Sequence, residues 1–300
     1  MVRDDGVVTT HDALVVHANR RLRTAHALAR FGVHLPMPLL WLTHHVVCKW
    51  LAPPLHARQR FTTIFGFDLV VRPTTGPHYY RNGFYEQGTM HVIGACLRPG
   101  DTFVDAGAAV GQMSFHAARL VGPRGRVLAF EPAPERFEDL VDGIAVNALT
   151  NITPIAAGLA AEPGELGLYL RGSPSMADQT RHEDTLRVPV HRLDDVLDSH
   201  GLSRVRFLKI DVEGLEPEVL LGASRLLRSP EPPIVCYEHG IYRHSTPIAE
   251  ILPAGYRTFQ LAGTAHRASR LVPTTKRLRA DNVFAVHDAV LRSLPRGLFA

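Results

Sequence analysis

An apolar strand, Thr102-Phe103-Val104, runs into Asp105-Ala106-Gly107-Ala108-Ala109-Val110-Gly111 and then into a helix-like stretch, while Phe130-Glu131-Pro132 ends the next strand. This order of strand, glycine turn, helix, strand and acid restricts the chain to an α/β sheet, because parallel neighbours need a helical crossover. Glycines in the turn let a ligand approach the backbone, and the helix start offers N–H groups to a carboxylate or phosphate. An acid ending the second strand suits the two hydroxyls of a ribose. The pattern predicts a nucleoside-bearing ligand.

The turn itself narrows the choice of nucleoside. A dinucleotide site of the form Gly-x-Gly-x-x-Gly would need glycine where Asp105 and Val110 stand. Asp105 also has the wrong sign for pyrophosphate: a carboxylate ~4 Å from one phosphate charge costs about 4 kcal/mol at an effective dielectric of ~20. S-adenosyl-L-methionine carries an ammonium, a carboxylate and a sulfonium instead. An acid at the strand end suits the ammonium, and the amides of the turn suit the carboxylate. Asp105, Ala106, Gly107, Ala108, Gly111, Glu131 and Pro132 are therefore the expected cofactor-binding residues. An NAD-dependent oxidoreductase is the weaker alternative.

At these residues the chain resembles the FkbM-type methyltransferases, a family with the class I fold. The likeness runs through Leu97-Arg98-Pro99-Gly100-Asp101-Thr102-Phe103-Val104-Asp105-Ala106-Gly107-Ala108, Gly125-Arg126-Val127-Leu128-Ala129-Phe130-Glu131-Pro132, Asn147 and Arg206-Phe207-Leu208-Lys209-Ile210-Asp211-Val212-Glu213-Gly214. It covers residues 80 to 240, and Lys-Ile-Asp-Val-Glu-Gly is its most family-specific piece. The resemblance implies an S-adenosylmethionine-dependent enzyme with a small-molecule hydroxyl acceptor, such as a sugar or polyketide-like alcohol. One departure stands out: the family commonly has Asn where Ala109 stands.

The expected fold is a doubly wound, mostly parallel, seven-stranded Rossmann-like methyltransferase sheet with an N-terminal helical extension. Residues 1–75 form the extension and a hairpin, and 76–300 form the cofactor-binding domain. Apolar spacing at Leu14, Val15, Ala18, Leu22, Ala25, Leu28 and Ala29 predicts a helix over 11–31. A second helical stretch runs from Pro36 to Leu55, too broken by His44, His45 and Lys49 to span a bilayer. Phe61 to Arg72 reads as a hairpin around Gly66, and Tyr79, Tyr80, Phe84 and Tyr85 as an aromatic, loop-like segment, which the resemblance implies lies over the cofactor, ordinary core packing being the equal alternative. Strands are expected at 102–106, 126–131, 152–156, 205–211 and 234–238, with the last two near 256–261 and 282–287. Helices fall at 111–121, 134–148 and 215–227, with another from about 193. An extra hairpin arm is expected at 161–170 and a polar loop at 171–185.

Charge is unevenly distributed. Residues 1–60 carry eight Lys or Arg against three acids, and 264–300 carry seven against two. Peripheral membrane contact through the basic N-terminal helices is one expectation, and a solvated arginine-rich surface is the blander one. Basic clusters with interleaved aromatics are lacking, so no nucleic-acid partner is expected. Cys48, Cys96 and Cys236 are far apart, which argues for a reducing compartment. With acids near the N-terminus and no early apolar core, a cytoplasmic location is expected. Seventeen histidines show no metal-ligand spacing, so no metal is expected; a divalent ion on Asp211, Glu238 and His239 is the variant reading.

Asp105, Glu131, Asp211 and Glu238 all end strands, and parallel sheets bind ligands at that rim. A hydroxyl acceptor needs a base, and the candidates are Asp211, His239 and Glu213, with Asp211 doubling as a cofactor contact. Glu213 has a competing role as a cap for the following helix. A non-catalytic adenosyl-binding protein of the same fold is the remaining alternative.

Overall fold

The computed structural model describes residues 24, 26–27, 54–169, 185–239, 248–262, 270–274 and 282–299. Most of the helical extension, the stretch from Pro36 and the 171–184 loop lie outside the described residues. No helix among the described residues is long and apolar enough to cross a membrane. The chain divides into two compact units, residues 1–83 and 84–300.

In the first unit, β1 (Gln59–Thr62) and β2 (Asp68–Val71) form an antiparallel hairpin. Gly66 takes the left-handed conformation its turn needs, at φ +80°. The aromatic stretch begins as a helix, α1 (Pro77–Asn82), with proline in the first turn and Gly83 left-handed at its end. Tyr79 and Tyr80 are buried, and Tyr80 lends its carbonyl to His26 Nε2 at 2.7 Å. They are packing residues.

The second unit is built on an eight-stranded sheet. Its strands are β3 (Thr102–Ala106), β4 (Arg126–Phe130), β5 (Ile152–Ile155), β9 (Phe207–Ile210), β10 (Ile234–Glu238), β11 (Tyr256–Ala262), β12 (Arg270–Pro273) and β13 (Asn282–His287), in the order β12-β11-β13-β10-β9-β3-β4-β5. Strands β5 to β10 across that order pair in parallel, while β13, β11 and β12 pair antiparallel. Seven strands were expected; β12 is the eighth, a four-residue edge strand too short to register as a pattern. The expected hairpin arm is instead a separate small sheet. There β7 (Gly164–Tyr169) pairs antiparallel with β8 (Thr185–His191), which also carries β6 (Gly158–Leu159).

Helices cover both faces of the large sheet. Alternate strand residues Val104, Ala106, Leu128, Phe130, Leu208, Ile210, Val235 and Tyr237 join one core with α5 (Leu193–Ser199), α6 (Glu216–Gly222), α7 (Ser224–Leu227) and α8 (Ile248–Ile251). The expected helix over 215–227 is two helices, divided at Ala223. The other face carries α3 (Gln112–Val121), packed on β3, β4 and on α2 (Gln87–Cys96). Phe115 of α3 is fully buried and fits against two glycines: a Cβ on Gly111 or on Gly143 of α4 (Pro134–Val146) would lie 2.5 Å from its ring.

The chain winds outward from β3 to β5 and then returns to β9 on the other side of β3. The carboxyl ends of β3 and β9 therefore flank the point where strand order reverses, where open α/β sheets bind ligands.

Because Phe115 has no space to yield, Gly143→Ala should destabilise the protein by about 1–3 kcal/mol despite alanine's better helix propensity. Urea unfolding of the two proteins reads this directly; equal or greater stability in the variant contradicts the packing argument.

Candidate functional site

Strand register brings the first two charges together. Asp105 of β3 lies opposite Lys209 of β9, on the face covered by α3. Asp105 has no exposed surface and Lys209 only 6%. The Lys209 ammonium lies 3.3 Å from Asp105 Oδ1 and 3.3 Å from Asp211 Oδ2, and it donates to the Gly107 carbonyl at 2.9 Å. Ser114 Oγ donates to the other Asp105 oxygen at 2.6 Å. Burial pushes the Asp105 carboxyl up, and Lys209 followed by Ser114 pulls it back. Asp105 therefore does not open onto the rim. Its counter-charge is internal, because strand alternation turns its side chain under α3.

The glycine turn is shaped by close backbone approach. Gly107 has φ +82°, and a Cβ there would stand 1.9 Å from the Asp211 carbonyl oxygen. Gly111 precedes α3 at φ +91°. The turn's amides are engaged within the fold: Gly107 and Ala108 N–H donate to the Phe130 carbonyl at 3.0 and 2.8 Å. Ala106, buried at the strand end, accepts from Asp211 N–H at 3.0 Å. Ala109 has φ +48°, a conformation that Asn tolerates and Ala does not favour. Ala109 is thus one of four non-glycine residues held left-handed among the described residues, with Glu86, Ala148 and Glu213.

Glu131 is 3% exposed, and its carboxylate ties the turn to β4. One oxygen accepts from Ala109 N–H at 2.8 Å and the other from Ala133 N–H at 2.9 Å. Burial raises its carboxyl, against the pull of Arg136 and these two amides. Pro132 is half-buried between Glu131 and Ala133.

Beyond β9, the Asp211 side chain is 31% exposed at the rim. Glu213 is left-handed at φ +57°, followed by Gly214 at φ +110°. Glu216, almost wholly buried, accepts from Val212 and Gly214 N–H at 3.1 and 3.2 Å. Glu238, at the end of β10, is half-buried with a carboxyl raised to about 8 by burial and by the charges of Asp211, Glu213, Glu216 and Glu86. His239 follows it, half-buried. Glu86, which sequence reasoning passed over, meets Asn282 at the start of the antiparallel strand β13. No group of three or more metal-ligating side chains occurs among the described residues.

The rim is thus a row of carboxyl groups around one buried ammonium, next to a backbone turn too tight for side chains. Such a group of acids offers a cationic ligand more partners than it offers a diphosphate.

The family model "Methyltransferase FkbM domain" matches residues 105–257, just over half of the chain. Methyltransferase sdnD of Sordaria araneosa is 32% identical over 171 residues, covering 45% of this chain and 66% of that protein. The 31-O-demethyl-FK506 methyltransferase FkbM of Streptomyces tacrolimicus is 32% identical over 163 residues, covering 44% and 62%. Hexuronic acid methyltransferase AglP of Haloferax volcanii is 27% identical over 147 residues, covering 48% and 59%. The chain spans less than two thirds of the length of these relatives. Among solved structures, methyltransferase FkbM from Methylobacillus flagellatus KT aligns with a TM-score of 0.44 at 16% identity, covering 89% of this chain and 59% of that one.

Two outcomes follow from the geometry. Ala109→Asn should stabilise the fold by about 1 kcal/mol by removing left-handed strain, whereas Gly107→Ala should cost about 3 kcal/mol or more; denaturant midpoints measure both. The raised Glu238 carboxyl makes stability greatest below the ordinary value of 4.5 and progressively lost as pH rises through about 8. Melting temperatures from pH 5 to 9 should therefore fall less steeply in Glu238→Gln than in the unmodified protein, and parallel slopes would refute this.

Proposed function

Because the chain belongs to the FkbM methyltransferase family, we propose that it transfers the methyl group of S-adenosylmethionine to a hydroxyl group of a small molecule. The observation that carries this reading is the carboxyl-rich rim at the sheet's reversal point, beside a glycine turn. The donor has two positive charges and no phosphate, so this field attracts it and disfavours a dinucleotide.

Each residue has a role on this reading. Gly107 and Gly111 give the turn the left-handed backbone that brings it close to the donor, and Ala108 adds only a methyl group. Ala106 and Pro132 set the ends of the strands on either side. Each Glu131 oxygen takes one backbone N–H, and a carboxylate oxygen has a second lone pair for a ribose hydroxyl. Asp105 acts from inside, as the counter-charge that seats Lys209 against the turn.

Asp211 is the base we assign to the acceptor hydroxyl. Its carboxylate is exposed at the rim, and Lys209 holds it from one side. Methyl transfer is an in-line displacement, so alignment of the hydroxyl oxygen with the methyl carbon supplies most of the rate and proton removal adds to it. His239, which follows β10, and Glu213, in the loop after β9, are the alternative bases on this reading. For the acceptor class, the relatives named for hexuronic acid and for 31-O-demethyl-FK506 favour a sugar or natural-product hydroxyl.

Calorimetric titration with S-adenosylmethionine should give saturable heat, and NAD should give none. Asp211→Asn should still bind the donor while methyl transfer to hexuronic acid or a macrolide alcohol falls by about 10²–10⁴. Silence with millimolar S-adenosylmethionine, or heat with NAD alone, rejects the reading.

A further inference from the structure

The segment just before α2 is held by two carboxamides from distant parts of the chain, Gln112 and Asn282. Gln112, the first residue of α3 and 2% exposed, accepts from Tyr85 N–H at 2.8 Å and donates to the Tyr85 carbonyl at 2.7 Å. Both backbone groups of one residue are thus engaged by a single buried side chain. The Tyr85 ring itself is 43% exposed, whereas Phe84 beside it is buried. At the next residue, Asn282 of β13 donates to Glu86 Oε2 at 2.7 Å and also to the buried Thr89 hydroxyl at 3.0 Å.

Glu86 occupies a position that does not suit it. Its φ is +46°, left-handed, where glycine or asparagine is the ordinary occupant. It caps α2 through its backbone, its carbonyl accepting from Met90 N–H at 3.1 Å, a task that needs no carboxylate. The carboxylate is nevertheless fixed by Asn282. It lies close enough to β9 for Asp211 to repel it and Lys209 to attract it. Lys209 is already shared by Asp105, Asp211 and the Gly107 carbonyl. Burial and then Asp211 raise the Glu86 carboxyl to about 7, against Lys209 and the hydrogen bonds of Asn282 and Thr89, so a ligand cation arriving here would favour its ionised form.

We propose that Glu86 is a further ligand-binding residue, receiving the ammonium group of the methyl donor while the clamped Tyr85 backbone closes that end of the crevice. This rests on the donor being S-adenosylmethionine. It replaces the role that the buried Asp105 does not fill, and it moves the cation-binding acid from the strand end to the segment before α2. Asn282 and Gln112 are positioning residues on this account.

The test uses two ligands that differ only in that ammonium: S-adenosylhomocysteine and its deamino analogue. Glu86→Gln should weaken S-adenosylhomocysteine tenfold or more by calorimetry and leave the deamino analogue unchanged. Glu86→Gly, whose backbone suits the left-handed position, should keep the unmodified melting temperature and show the same selective loss. Equal loss for both ligands, or loss for neither, overturns the assignment of Glu86 while leaving the donor intact. If the unmodified protein binds neither ligand, the donor reading itself has failed and the assignment falls with it.

Discussion

The ion pair between Asp105 and Lys209 is the constraint on which the site depends. Both groups are removed from water, and the desolvation of two charges is expensive unless geometry and added hydrogen bonds compensate. Here they do so in part: Asp105 Oδ2 takes the Ser114 hydroxyl while Oδ1 has the ammonium at 3.3 Å, and the ammonium takes the Gly107 carbonyl as well as Asp211. The pair joins β3 to β9 across the reversal point, α3 to the sheet, and the glycine turn to the loop that bears Asp211. Removing either partner would leave a buried charge uncompensated, which typically costs about 3–5 kcal/mol. The turn keeps its shape because the charges beneath it do not separate.

How much of this was legible in the sequence follows from the range of the interactions. The strands of the parallel half announce themselves as apolar runs bounded by glycine, proline and acids, and β3, β4, β10 and β13 fall where the pattern puts them. The glycine turn was equally readable, since Gly107 and Gly111 answer to local backbone geometry. The direction of a charged side chain was not. All four residues of β9 are buried, so hydropathy gives no face to Lys209. Its partner emerges only from the register that sets it opposite Asp105. Asp105 was read as facing the ligand for the same reason: being last but one in a strand fixes height along the sheet, not the side to which a carboxylate turns.

Glu86 and Glu216 were invisible for different causes. Glu86 owes its importance to Asn282, almost two hundred residues away in sequence, and nothing local marks a glutamate after an aromatic residue. Glu216 went unread because Glu213, beside the glycine, was the acid considered as a cap. The left-handed turn at Glu213 and Gly214 brings the later acid, Glu216, back onto the amides of Val212 and Gly214. The helix α1 was hidden because Tyr79 and Tyr80 resemble loop aromatics until Pro77 and Gly83 are read as its two ends.

Neutralising Asp105 internally also makes chemical sense for the proposed reaction. Methyl transfer discharges the sulfonium, so a bare carboxylate against the sulfur would stabilise the donor more than the transition state and slow the step. An acid is useful at the other end of the donor, where the ammonium keeps its charge throughout. The structure separates the two positions: Asp105 beneath the turn is matched by Lys209, whereas Glu86 is held by an uncharged carboxamide. Binding energy drawn from the ammonium is the same before and after transfer, so it anchors the donor without opposing the chemistry. A field built this way distinguishes a group that must stay charged from one that must not.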